Sequence, residues 1–533
     1  MPNKALFAPA RTSAPAADAV NEAGGVAYTF TARHALAQIA ATGTFNNVFY
    51  ATAEEQFEKV LELLPVIDNE FIAKVAVFSR ERGQMKDMPA ALVAYLASKD
   101  IRLAGAIFPR VIDNPKMLRN FVQFIRSGKF GRKSLGTAPK RWVQEWFAKR
   151  TPDNIFRASV GNDPSLADVI KLARPKPTDA ERDALYAYLI QSKNHEEKAI
   201  NLPQLVKDFE AFKGDMNTFS APNVLFEMLT ALPLDTNSWK RLAKNMSWTQ
   251  LRMSVNTLKR HNVLEDHDMV RFIASVLKDP FQIKRAKPFP YQLLAADKAI
   301  EGSGLPREIE LALQDALEVS LELVPTIPGK VVVCPDVSGS MASPVTGYRE
   351  GSTTKVSCVD VAALVGASIL KQNPLSQVIA FDNVLHIGGL NPRDSLMTNA
   401  TKLAAFGGGG TACQLPLKYL NDRNEKADLV IYVSDNESWM QFEQNRSRFL
   451  YSRNPPPATP PMAEEWLCFK KRNPNAKLVL LDIQPYDTTQ VRESKDVLNI
   501  GGFGDYAFEM IAKFYAGELS SEHWVGEIEK IIL

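Results

Sequence analysis

Cysteine and histidine are scarce in this chain. Its 533 residues include four cysteines and six histidines. Cys334, Cys358, Cys413 and Cys468 contain no C-x-x-C pair, and the histidines form no H-E-x-x-H. A disulfide framework and a zinc centre are therefore not expected, and a reducing, cytoplasmic setting fits. No Cys–His or Ser–His–Asp order stands out, and the chain has no G-x-x-x-x-G-K-[ST] phosphate loop. The sequence does not point to an enzyme. No apolar run approaches the ~20 residues that span a bilayer, so no membrane partner is expected. Residues 1–17 lack the continuous apolar core of a signal peptide. Their Ala, Pro and Ser content gives the expectation of a flexible arm over residues 1–27.

Hydrophobic residues make up 45% of the chain and charged residues 23%, an ordinary globular composition with enough length for two or three domains. The net charge of +3 is unevenly spread. Residues 329–533 hold 20 Lys+Arg and 23 Asp+Glu, so the rest of the chain carries a net +6. One window dominates: Arg110 to Lys176 holds 15 basic and 5 acidic residues. Such a concentration favours an anionic partner over general solubility.

From about Thr31 to Leu321 the pattern is helical, with no β-type alternation. Phe57, Val60, Leu61 and Leu64 fall on one helical face. Asn69 can cap the next helix, and Pro89 suits a first turn. Many consecutive helices with short links predict an α-solenoid of HEAT-like repeats. Pro325 and Pro328 mark a boundary. Beyond them, short apolar strands alternate with helices: Val331–Cys334, Val378–Phe381, Leu429–Val433, Leu478–Ile483 and Val497–Ile500. That alternation predicts an α/β domain with a mostly parallel sheet covered on both faces. Its ligands would bind beyond the carboxyl ends of the strands. The Pro-rich segment Arg446 to Pro461 reads as an insertion loop near that edge.

The first of these strands runs into P-D-V-S-G-S-M. Asp336, Ser338 and Ser340 alternate on a turn, so two hydroxyls and a carboxylate can converge on one point. These are hard oxygen ligands that suit Mg²⁺. Downstream, Gly407 to Gly410 lead into Thr411, and the strand ending at Val433 is followed by Ser434 and Asp435. This set resembles the metal-ion-dependent adhesion site of von Willebrand factor A domains. The resemblance implies a divalent cation, Mg²⁺ or another, held through Asp336, Ser338, Ser340, Thr411 and Asp435.

The basic window is richest over Ser127 to Arg150. Lys129, Arg132 and Lys133 lie on a Gly-containing loop. Lys140, Arg141, Lys149 and Arg150 flank a helix whose Trp142, Trp146 and Phe147 point inward. Arg157, Lys171, Arg174 and Lys176 follow. Basic groups on loops and helix ends can track a phosphate backbone. Phe130, on the loop, is the candidate base-stacking residue. Lys284, Arg285 and Lys287 could add phosphate contacts.

Helical repeats, a basic window and a von Willebrand A domain together resemble the Ro RNA-binding family, the TROVE-domain proteins. Further segments carry the resemblance: D-V-I-K-L-A-R-P-K-P (Asp168 to Pro177), L-T-A-L-P-L-D-T-N-S-W-K-R-L-A-K-N-M (Leu229 to Met246) and Pro280-Phe281. Two positions where that family often has His are Leu166 and Arg174 here, and the Gly128 to Gly136 loop departs from its Gly-Arg-Gly pattern. The resemblance implies repeats closed into a ring over 28–328 and an A domain over 329–533. It also implies binding of Y-like small RNAs and of single-stranded 3′ ends of misfolded RNA, with an exoribonuclease as a further partner. A closed ring needs no second copy, so a monomer is expected. The competing reading is a protein-adhesion or co-chaperone module that works through the metal site, with the helices as scaffold.

Overall fold

The computed structural model describes residues 14–533 except 43–44, 162–163, 217, 219–220, 287, 289, 301–303, 322–323, 349–355, 440–458 and 521. Lys287 and nearly all of the expected insertion loop lie outside the described residues. By contacts the chain divides into two compact units: residues 1–66, 289–291 and 321–527, and residues 67–288, 292–320 and 528–533.

The second of these units is helical. Asp68, not Asn69, caps its first helix, Asn69–Glu81, by accepting from the Phe71 amide at 2.8 Å. The helix Asp87–Lys99 is apolar on nearly every side and is buried from Met88 to Ala97. It packs against Asn69–Glu81, Ile101–Val111 and Pro115–Arg126. Pro89 sits in its first turn, as expected. Successive helices continue through Thr137–Ala148, Leu166–Ala173, Ala180–Ile190 and Gln204–Gly214 to Thr236–Asn245, Trp248–Arg260, His267–Leu277 and Arg307–Ser320. Most start on a short polar cap, as Ser165, Asp179, Asp235, Ser247 and Asp266 do. No described helix is long and apolar enough to cross a membrane.

The first unit holds two sheets. Its strands are β1 (Ala19–Val20), β2 (Val26–Thr29), β3 (Val331–Pro335), β4 (Gln377–Phe381), β5 (Leu385–Ile387), β6 (Leu429–Ser434), β7 (Lys477–Asp482), β8 (Thr488–Thr489) and β9 (Val497–Gly501). The main sheet has the order β5-β4-β3-β6-β7-β9 and is parallel except for the edge strand β5. All five expected strands are present within one residue at each end. The short β5 escaped the sequence reading because three residues give too little periodicity. The helix Cys358–Gln372 lies against β3, and a Cβ at Gly366 would come within 2.8 Å of Pro335 Cγ. Glycine is what permits that approach.

The expected division at residues 27 and 28 is not the line along which the chain packs. Residues 14–27, expected to be flexible, include β1, which pairs with β2. Strand β2 pairs in turn with β8, where Tyr28 meets Thr489. Two helices of the same unit follow: α1 (Ala32–Thr42), which packs on β9, and α2 (Ala53–Leu63). Short strands pair with partners fixed only by the tertiary fold, so composition alone misread them.

Candidate metal centre and basic surface

Register brings three aspartates to one sheet edge. Val333 pairs with Ile431 and Pro335 with Val433, so β3 and β6 end side by side. The Asp336 amide donates to the Val433 carbonyl at 2.9 Å, and the Val337 amide to that of Phe381 at 2.8 Å. Asp336, Asp382 and Asp435 therefore follow the carboxyl ends of three neighbouring strands. The five residues expected to hold a cation, Asp336, Ser338, Ser340, Thr411 and Asp435, are all buried.

The site is held by its own hydrogen bonds. Asp336 Oδ1 accepts from the Ser338 amide at 2.8 Å, and Oδ2 accepts from the Ser434 hydroxyl at 2.5 Å. The Ser338 and Ser340 hydroxyls lie 3.3 Å apart. The glycine loop closes over them. The Gly408 amide donates to the Val337 carbonyl and the Gly339 amide to that of Gly409, both at 2.8 Å. Gly407 and Gly408 have φ of 80° and 99°, the left-handed region that side chains avoid. Asp382 fixes this loop, with Oδ2 accepting from the Gly409 amide at 3.1 Å. Ser340, Gly408–Gly410 and Thr411 share a cleft of about 610 Å³ with Ala23, Phe49, Tyr50 and Trp439.

The electrostatics suit a cation. Burial, then repulsion from Asp435, pushes the Asp336 carboxyl well above the usual carboxylate range. Burial raises Asp435 too, while the Ser340 hydroxyl and the Glu437 amide pull it down. Glu437 and Asp482, also buried, are both raised by burial and by Asp435. Among the described residues no Lys, Arg or His pairs with Asp336 or Asp435, and one oxygen of Asp482, Oδ1, has no partner. Uncompensated buried carboxylates are costly, and a hard divalent ion bound by carboxylate and hydroxyl oxygens removes that cost. The residues present fit Mg²⁺.

The N-terminal segment buttresses the loop after β6. The Ala23 amide donates to Glu437 Oε2 at 3.0 Å, and Asn21 Nδ2 to the Ser438 carbonyl at 3.1 Å. A Cβ at Gly25 would stand 1.9 Å from the Ser438 carbonyl oxygen. Gly25→Ala should therefore displace the strand or the loop and weaken cation binding at least about tenfold, as read by Mg²⁺-dependent thermal stabilisation. Sequence reasoning missed Asp382, Ser434, Glu437 and this segment. Asp382 carried a legible signal, an aspartate directly after an apolar strand, whereas nothing local marks Tyr50 or Ala23.

Side chains of the basic window divide into two groups. Arg132 donates to the Ala97 and Leu135 carbonyls at 3.0 and 2.8 Å, crossing close over Gly136. Arg150 lies 3.5 Å from the Trp146 ring centroid and donates to the Trp146 and Asp113 carbonyls. Arg157 donates to the Asn223 carbonyl at 2.8 Å and to Asn154. These three guanidiniums brace the fold. Lys129, Lys133, Arg141, Lys149, Lys171, Arg174, Lys176, Lys284 and Arg285 are exposed, and Lys140 is half-buried. Arg141 reaches Glu145 at 3.6 Å, and Arg174 ends its helix in the left-handed conformation.

Phe130 is not a stacking platform. It is only 7% exposed and packs edge-on to Tyr95, with ring centroids 6.1 Å apart, and against Phe124. The turn from Gly128 to Gly131 folds its ring back onto the preceding helices. Phe130→Ala should destabilise the helical unit by about 3 kcal/mol, in the range of core aromatic truncations. Denaturant unfolding measures this. Trp142, Trp146 and Phe147 are buried, as expected.

The architecture is that of a mostly helical region followed by a von Willebrand A domain with a mainly parallel sheet. Residues 330–449 match the family model described as the Ro60 vWA domain. RNA-binding protein RO60 of Deinococcus radiodurans is 24% identical over 454 residues, covering 79% of this chain and 83% of that protein. The crystal structure of the Deinococcus radiodurans RO (RSR) protein superposes with a TM-score of 0.64 at 20% identity, covering 92% of this chain and all of that one. The resemblance to Ro proteins read from the sequence thus holds in the A domain, along most of the chain and in the fold.

Proposed function

We propose that the protein is a non-catalytic RNA-binding scaffold. It binds single-stranded 3′ ends of misfolded RNA and small structured RNAs of the Y type through its helical unit. The A domain holds Mg²⁺ and docks a protein partner, an exoribonuclease being the partner this role calls for. The observation that carries the reading is the +10 window, most of whose basic side chains face solvent. Exposed cations along loops and helix ends release counterions when they meet phosphates, which supplies most of the affinity for a polyanion. The name of the Deinococcus relative supports the same choice of polyanion.

Mg²⁺ would be held by Asp336, Ser338, Ser340, Thr411 and Asp435. When bound it supplies an open coordination position for an acidic oxygen of the partner. Around it the chain's own groups hold the ligands. Ser434 and the Ser338 amide orient Asp336, and Asp382 secures the loop that leads to Thr411.

The test is a binding titration with a structured RNA bearing a single-stranded 3′ tail, against the blunt RNA and duplex DNA, at two salt concentrations. Tight, salt-sensitive preference for the tailed RNA is expected. Equal, weak binding to all three would overturn the reading and leave the adhesion module as the function.

A further inference from the structure

With Phe130 buried, one aromatic side chain among the described residues of the helical unit stays exposed: Phe281, at 75%. A single exposed apolar side chain is ordinary. What sets this one apart is its company. It stands on the short helix Pro280–Ala286, which packs against Trp248–Arg260, His267–Leu277 and Arg307–Ser320. Ile283, about 200° round the helix from Phe281, is buried and anchors it. Lys284 and Arg285 follow Phe281 by three and four residues, so the three share one face, with neighbouring Cβ atoms about 5–6 Å apart. All three are exposed, as is Lys278 just before the helix. The one acid of residues 278–286, Asp279, turns to the helix start, where Oδ1 accepts from the Phe281 amide at 2.9 Å. The helix itself presents a ring beside two cations and carries no acid.

An exposed ring suits either the apolar surface of a protein or the face of a base. The two cations decide between them. Protein interfaces are depleted of charge, and of lysine in particular, around their apolar centre. Platforms for single-stranded nucleic acid instead pair a ring that stacks on bases with cations that follow the phosphates. Charge alone also gives no reason to prefer a single strand, because a duplex carries the denser array of phosphates. A stacking ring does give one, since a paired base hides its faces in the helix.

We propose that Phe281 stacks on an unpaired base of the bound RNA, with Lys284 and Arg285 holding the phosphates beside it. The inference rests on the RNA-binding reading above and moves the stacking role from Phe130 to a ring that a base can reach. Every base has a π-face, so the contact tolerates any sequence and selects for single-strandedness.

The full chain is titrated with a single-stranded uridine oligonucleotide and with inorganic polyphosphate, which has the charge but no base. Phe281→Ala should weaken oligonucleotide binding about tenfold, in the range of one stacked base, and leave polyphosphate binding unchanged. Phe281→Leu should lose as much, because it keeps the apolar bulk without the π-face. Phe281→Tyr should keep the affinity of the unaltered chain. Lys284→Ala with Arg285→Ala should weaken both probes. An equal loss on both probes in Phe281→Ala, or full oligonucleotide affinity in Phe281→Leu, overturns the proposal. Oligonucleotide binding indifferent to Phe281→Ala overturns it too and leaves the ring to a protein partner. If the unaltered chain still prefers the tailed RNA to the blunt one in that case, this inference alone fails. If it shows no such preference, the RNA-binding reading fails as well.

Discussion

The Asp336→Ala variant should gain no stability from Mg²⁺, whereas the unaltered chain should. Asp336 is fully buried and is the point on which the Ser338 amide and the Ser434 hydroxyl converge. Without it the remaining donors have one carboxylate fewer and no fixed orientation. A cation at a hundredfold excess over its Kd stabilises the folded state by about 2.7 kcal/mol. For a unit of this size that corresponds to a rise in Tm of roughly 5–10 °C. Thermal melts with and without Mg²⁺ measure it, and an equal rise in the variant would remove Asp336 from the site. The pH dependence has a definite sign. The metal-free carboxyls of Asp336 and Asp435 are raised above their ordinary value of 3.8. The folded, metal-free state therefore binds protons more tightly than the unfolded chain, and its stability falls as pH rises above that value. Mg²⁺ competes with those protons, so its stabilising effect grows over the same range. A Mg²⁺ effect that shrinks with rising pH would contradict this.

Reversing the charge of the exposed basic residues should abolish most RNA affinity. The set Lys133→Glu, Arg141→Glu, Lys149→Glu, Lys171→Glu and Lys176→Glu avoids the three arginines that hold backbone carbonyls. Each of the five is exposed, so the helical unit should keep its fold. Every lost phosphate contact lowers the log–log salt slope by about 0.7 on a single strand, so five lower it by about 3.5. Affinity at ~0.1 M salt should fall by about two to three orders of magnitude. Fluorescence titration at several salt concentrations reads both quantities. An unchanged slope would place the phosphates elsewhere. Asp336→Ala should leave RNA affinity nearly intact, because the metal residues and the basic window belong to different compact units. Arg132→Ala and Arg150→Ala should act mainly through stability, since their guanidiniums satisfy buried carbonyls.

Much of this protein is legible without coordinates, for a physical reason. Apolar strands of four to six residues and helices with a clear 3.6-residue stripe carry their signal locally, so the five parallel strands of the main sheet and the helical character of the other unit could be read from the sequence. The alternation of Asp336, Ser338 and Ser340 after a buried strand is equally local. So is the net charge of the basic window. What local sequence does not encode is which distant groups share a space. The pairing of β2 with β8 put residues 14–66 beside the A domain, although the sequence suggests an arm up to residue 27 and helical repeats from residue 28. The same packing brought Ala23 to Glu437 and Tyr50 to the rim of the metal face. Burial decided the fate of Phe130, which a turn at Gly128 and Gly131 folds inward. It also separated the arginines that brace the fold from the lysines that meet solvent, a difference that one-letter code does not show. Composition fixes how much charge a segment carries. The tertiary structure decides which of those charges are already paired, because pairing depends on distances across elements far apart in the chain.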